Sequence, residues 1–243
     1  ELENLMDRLC GCYESSLGFK DFLGIRVIKH PRRPVPEDSF DFIRRHAFGR
    51  PRDLVVIASE LSSQKSSLSE TRYCEIVRRA SATHLVPGIF EEMNVFLDCL
   101  GDQETRMRFL ETLEMNILSR QDAVTACARF NGISEDAVDE LGHTAAEIFH
   151  PFQDLYLAGL LGVIESQTDS DERVQAFRRP DDLVNCLGMD LPDSSHYLLH
   201  PALSIFVREL KRSGPFTSLE HIVVGDQQPW QSWDDVFFQI EHS

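Results

Sequence analysis

The sequence predicts a mainly α-helical protein: a helical bundle followed by a winged helix-turn-helix domain with a small β-sheet. Three observations lead there. Up to about residue 130, apolar residues recur at helical spacing between capping and stopping residues, with short connections. From Asn131 the texture changes to helix, helix, strand, polar turn, strand and helix, the layout of a winged helix. No internal repeat and no apolar run of membrane-spanning length interrupts that order. The expected organisation is an N-terminal stretch over 1–35, a helical domain over 36–130, a winged-helix-like domain over 131–212 and a tail over 213–243.

Leu2, Leu5, Met6 and Leu9 mark an opening amphipathic helix. A loop follows around Gly18 to Gly24, and Ile25-Arg26-Val27-Ile28 reads as a strand. Pro31, Pro34 and Pro36 then hold the chain extended. Pro36 to His46 is expected to be helical, with Phe40 and Ile43 on one face. Gly49 and Pro51 follow the rule that glycine stops one helix and proline starts the next, and the new helix has its body from Asp53 to Ser63. Ser67 and Glu70 form a Ser-x-x-Glu capping box that starts a helix at Leu68. Tyr73, Ile76, Val77 and Ala80 are its face, and it runs out before Pro87. Ile89 to Leu100 is helical and stopped by Gly101. Asp102 caps a charged helix with a seam of Met107, Leu110, Leu113 and Ile117, so no strand is expected in this stretch.

Beyond Asn131, Ser134 caps a helix through about Phe149 and Pro151 starts another, with Phe152, Leu155 and Tyr156 as its apolar side. Val163-Ile164, Val174 to Phe177 and His196 to His200 read as three strands, with a polar turn from Gln167 to Arg173. Pro201 opens a last helix, Ala202 to Leu210. The tail carries Trp230, Trp233, Phe237 and Phe238, too much apolar surface to stay in water, so it is expected to dock.

Net charge is −16 with a pI near 4.9, which argues against a general polyanion binder and for a cytoplasmic protein. Basic charge is nevertheless concentrated between Arg26 and Arg52, while acids dominate from Asn131 to Arg212. The six cysteines show no metal spacing beyond a tight Cys10-Gly11-Cys12, which points to reduced thiols in a cytosolic setting. No charged-then-apolar signal start is read at the chain's beginning, and no membrane partner is expected. The chain opens on Glu1 inside an amphipathic pattern, and so reads as a piece of something longer or a processed product.

The chemistry-bearing motifs are few. No Gly-x-x-x-x-Gly-Lys-Ser/Thr loop, Gly-x-Ser-x-Gly elbow or Cys-His pairing is present, so the chain alone is expected to be non-enzymatic and to hold no cofactor. His143, Glu147 and His150 fall at i, i+4 and i+7 of one expected helix and form a candidate metal set. A solvated or capping face is the commoner outcome of that spacing. The second helix of the winged region lacks Arg and Lys. Gln153, with Arg173, Arg178 and Arg179 of the wing, is what it offers to DNA, among many acids. The most specific feature is the corner Phe48-Gly49-Arg50-Pro51-Arg52-Asp53. It sets two permanent, planar cations around a helix start, a pattern suited to phosphate or carboxylate, or to a structural ion pair.

Phe42 to Ile57, FIRRHAFGRPRDLVVI, resembles the helix-corner-helix in the lid of STAND-like and AAA+-like bacterial P-loop ATPases. FQDLYLAGLLGVIE, from Phe152, through FRRP, from Phe177, to HYLLHPAL, from His196, is similar to the winged helix that follows that lid. The resemblance covers roughly residues 35–210. It implies that residues 36–130 are lid-like and that a missing N-terminal segment, or another copy, carries the nucleotide-binding elements with ATP and Mg. Arg50 or Arg52 would be the sensor arginine facing the nucleotide. The implied role is regulatory and non-catalytic, relaying nucleotide state to an effector protein, in bacterial stress or phage defence. A winged-helix DNA-binding transcription regulator is the second function class. A metal-dependent enzyme built on His143, Glu147 and His150 is the third.

Overall fold

Local rules account for most of the first elements. Helix α1 (Leu2–Tyr13) is followed by a short α2 (Phe19–Leu23), closed by Gly24 in the left-handed region at φ 72°. The computed structural model describes residues 2–13, 18–29, 36–64, 68–133, 150–166, 173–178, 191–212 and 214–218. Helix α2 occupies a stretch expected as loop. Five residues are too few for a helical period to register, and burial of Phe19 and Leu23 holds the turn in place. Strands β1 (Val27–Ile28) and β2 (Glu37–Asp38) pair antiparallel, Val27 opposite Asp38. Helix α3 (Ser39–His46) therefore starts three residues later than Pro36. Asp38 caps it by accepting from the Phe40 N–H at 2.9 Å.

Helix α4 (Pro51–Ser62) has Pro51 at its first position, as the sequence requires. Helix α5 (Glu70–Ala80) is capped by Ser69, which accepts from the Arg72 N–H at 3.3 Å; Ser67 lies outside the described residues. A π-helical segment (Ser81–Leu85) follows, then α6 (Val86–Met93), so Pro87 lies inside a helix rather than beyond one. The π turn is where the i−4 ladder loosens ahead of a residue with no N–H to give. There the Ser81 and Thr83 hydroxyls each donate to the carbonyl four residues back, at 2.8 Å.

The chain divides into two compact units, Glu1–Leu85 and Val86–Ser243. The core of the first is built from Phe19, Phe42, Ile43, Leu54, Ile57, Tyr73 and Ile76. It also contains polar groups that are paired. The Tyr73 hydroxyl donates to the Ser39 carbonyl at 3.0 Å, and Arg45 meets Glu37 at 2.9 Å with both side chains almost fully buried. Arg45 also lies over the Phe42 ring, 4.7 Å from its centroid.

In the second unit α6 tightens into a 3₁₀ turn (Asn94–Phe96), which ends the helix well before Leu100. Helix α7 (Gln103–Leu110) is capped by Asp102, which accepts from the Thr105 N–H at 2.8 Å. The seam does not continue to Ile117. Residues 117–119 form strand β3 (Ile117–Ser119), which corrects the expectation of an uninterrupted helical stretch to residue 130. Ser119 and Asp122 then make a reciprocal capping box that opens α8 (Arg120–Asn131). The helix expected over Ser134 to Phe149 lies outside the described residues.

Helix α9 (His150–Leu157) leads through a left-handed Gly159 into strand β4 (Leu161–Ser166), and then come β5 (Arg173–Phe177), β6 (His196–Leu199) and α10 (Pro201–Lys211). The sheet order is β3-β6-β4-β5 with every pairing antiparallel, so the last strand in sequence occupies an interior position. Gly162 faces Phe177 across β4 and β5. A Cβ there would fall 2.8 Å from the Phe177 ring and 2.9 Å from the Ala176 carbonyl, so only glycine fits. Phe109, Phe152, Leu155, Leu160, Leu198 and Leu203 are fully buried, with Phe109 and Phe152 edge-to-face at 5.2 Å. Thr217 exchanges backbone hydrogen bonds with the Glu114–Asn116 segment at 2.8 and 3.1 Å, so the chain after α10 returns alongside the residues preceding β3. Trp230, Trp233, Phe237 and Phe238 lie outside the described residues. The protein is thus mainly helical with small antiparallel sheets, and no described helix is long and apolar enough to cross a membrane.

Candidate functional site

The corner between α3 and α4 is built around a buried carboxylate. Asp53, fully buried at the third position of α4, accepts from the Phe48 N–H at 3.0 Å and so ties the chain before the helix to its first turn. A carboxylate there also complements the positive end of the helix. Arg50, at the N-cap, grips the same carboxylate with Nη2 at 2.7 Å and Nε at 3.1 Å. Gly49 supplies the left-handed backbone, φ 73°, that turns Phe48 back toward Asp53. The Arg50 guanidinium also lies 5.9 Å from the centre of the Phe48 ring, and its side chain is only 17% exposed. Arg52, at the second helical position, is exposed. The two arginines expected to act alike are therefore placed differently: one is part of the corner, the other faces outward.

The residues considered for DNA come from different elements. Gln153 is half-buried on α9, Arg173 half-buried on β5 and Arg178 buried just after it; Arg179 lies outside the described residues. No residue from Pro151 to Ile164 is exposed, whereas a helix that reads base edges must present side chains outward. Of the candidate metal set, His143 and Glu147 lie outside the described residues, as does the side chain of His150. Among the described residues no cluster of three His, Cys, Asp or Glu is arranged to hold a metal.

One polar site is not marked by any sequence motif. Asp154, 1% exposed on α9, accepts from the N–H groups of Asp98 at 3.1 Å and of Cys99 and Leu100 at 2.7 Å. Burial pushes its carboxyl above the usual aspartate range, and the three N–H donors pull the other way. Its chemistry is that of an anchor, holding the turn after the 3₁₀ segment against α9. The available signal was its place between Phe152 and Leu155 on a face that is otherwise apolar. Cys127 is buried in α8, and burial raises its thiol far out of the reactive range. Comparison with models of protein families, with curated proteins and with solved structures gives no match.

Proposed function

We propose that this chain is the lid and winged-helix portion of a STAND-like P-loop ATPase, a non-catalytic part that relays nucleotide state to partner proteins. The observation that carries the proposal is the corner itself. A buried Asp53 and Arg50 fix the start of α4, and Arg52 at its second position is exposed. In this reading Arg50 is a positioning residue and Arg52 the cation that meets a phosphate held by another segment. A fixed guanidinium stabilises phosphoryl charge and engages ATP differently from ADP, which is what a switch requires. The order α7, β3, α8, α9, β4, β5, β6 with its antiparallel sheet supports a winged-helix variant in which β5 extends the wing.

ATP and Mg would be held by the nucleotide-binding segment, with this chain contributing Arg52. The coding sequence before Glu1 should then specify a Gly-rich phosphate loop. With that segment joined, Arg52→Ala should weaken ATP binding about 10- to 100-fold, the worth of one charge-assisted contact, while melting stays unchanged. Titration with a fluorescent ATP analogue measures it. Unchanged affinity in Arg52→Ala, or no phosphate loop upstream, refutes the proposal.

A further inference from the structure

Charge is divided unevenly between the two units. Glu1–Leu85 carries 14 Lys and Arg against 12 Asp and Glu, a net +2; Val86–Ser243 carries 10 against 28, a net −18. The second unit is therefore repelled by polyanions and attracts basic surfaces. Within it, Val95 is 84% exposed and Phe96 49%, side by side on the 3₁₀ turn. Among the described residues these are the second unit's exposed large apolar side chains; the others, such as Leu5, Leu9 and Val55, belong to the first.

This knob is built rather than frayed. The turn that follows it is fastened by the three N–H bonds to Asp154, and Leu97 and Leu100 are buried on either side. Gly101 packs so closely on Asn94 that a Cβ would fall 2.8 Å from its Oδ1. Exposed acids flank the knob in sequence. Glu91 and Glu92 lie one turn earlier, four residues before Val95 and Phe96, and Asp98 and Glu104 follow. Arg106 lies over Phe90 at 4.4 Å, where it also feels the charges of Asp102 and Glu91, and Arg108 lies over Phe130 at 4.8 Å.

From an exposed apolar pair followed by a fastened turn and flanked in sequence by exposed acids, we propose that Val95 and Phe96 are the anchor of a docking surface for a basic amphipathic segment of a partner protein. The apolar face of the partner covers the pair while its lysines and arginines meet Glu91, Glu92, Asp98 and Glu104. The proposal stands apart from the nucleotide reading, since it needs neither Arg52 nor an upstream segment. The probe is a labelled helical peptide of leucine and lysine, titrated into the full chain by fluorescence anisotropy, with a leucine–glutamate peptide as the charge-reversed control. Binding of the first peptide alone is expected. Val95→Ser with Phe96→Ser should weaken it at least about tenfold with the melting curve unchanged, as for a central anchor. Glu91→Gln with Glu92→Gln should weaken it and flatten its salt dependence. No binding, equal affinity in the Val95/Phe96 double variant, or self-association of the chain that this variant abolishes would each overturn the proposal.

Discussion

Removing the Asp154 carboxylate tests whether one buried anion holds the turn after α6. Asp154→Ala strands three N–H donors. That of Leu100 is in a buried residue, that of Cys99 in a half-buried one and that of Asp98 in an exposed one able to recover water. Two effectively orphaned donors at about 1–3 kcal/mol each place the cost at about 2–6 kcal/mol. Asp154→Asn keeps an oxygen for the Cys99 and Leu100 donors, which share Oδ2, and turns its amide toward the Asp98 side, where solvent relieves the clash. It should cost about 1–2 kcal/mol, clearly less than the alanine. Urea unfolding followed by circular dichroism measures both. The reference carboxyl titrates near about pH 3.9, and burial raises that of Asp154 in the folded state. The pH-dependent part of this group's contribution is thus fully present below the unfolded value and is lost as pH rises through the folded one. The stability of the native chain relative to Asp154→Asn should therefore shrink as pH is raised from acid. An alanine variant within about 0.5 kcal/mol of the native chain, or an asparagine variant worse than alanine, would refute the anchor.

Ser119→Ala removes half of the capping box that opens α8 and should cost about 1 kcal/mol in the same unfolding assay. Gly162→Ala drives a methyl against the Phe177 ring and the Ala176 carbonyl and should destabilise by about 1–3 kcal/mol; a neutral result would mean that β5 moves aside freely. Under native conditions iodoacetamide should label the exposed Cys12 and leave the buried Cys127 untouched until the chain unfolds, as read by peptide mass spectrometry.

Strong local punctuation was legible in the sequence. Pro51, the Asp102 cap and Pro201 each set a boundary that the structure keeps within a residue or two, whereas the helix before Gly49 already ends at His46 with Ala47 as its cap. Tertiary pairing was harder to read. Ile117 extends the apolar spacing of α7, yet β6 lies alongside it and Leu198 takes its register, which a window confined to one segment cannot see. The Ser119-Arg120-Gln121-Asp122 box was the local sign that a new helix begins there. The same limit applies at the arginine corner. Sequence placed two cations at one bend, but only the fold shows that Asp53 is buried and holds Arg50, while Arg52 is exposed.

The interior place of β6 has a consequence for synthesis. Strands β3 and β4 meet only through a strand that leaves the ribosome some 30 residues after β4 and close to 80 after β3, so neither gains that neighbour until His196–Leu199 emerges. A nascent or prematurely stopped polypeptide lacking those four residues would display two unsatisfied strand borders and the apolar side chains they should cover, the kind of surface that chaperones hold and proteases clear.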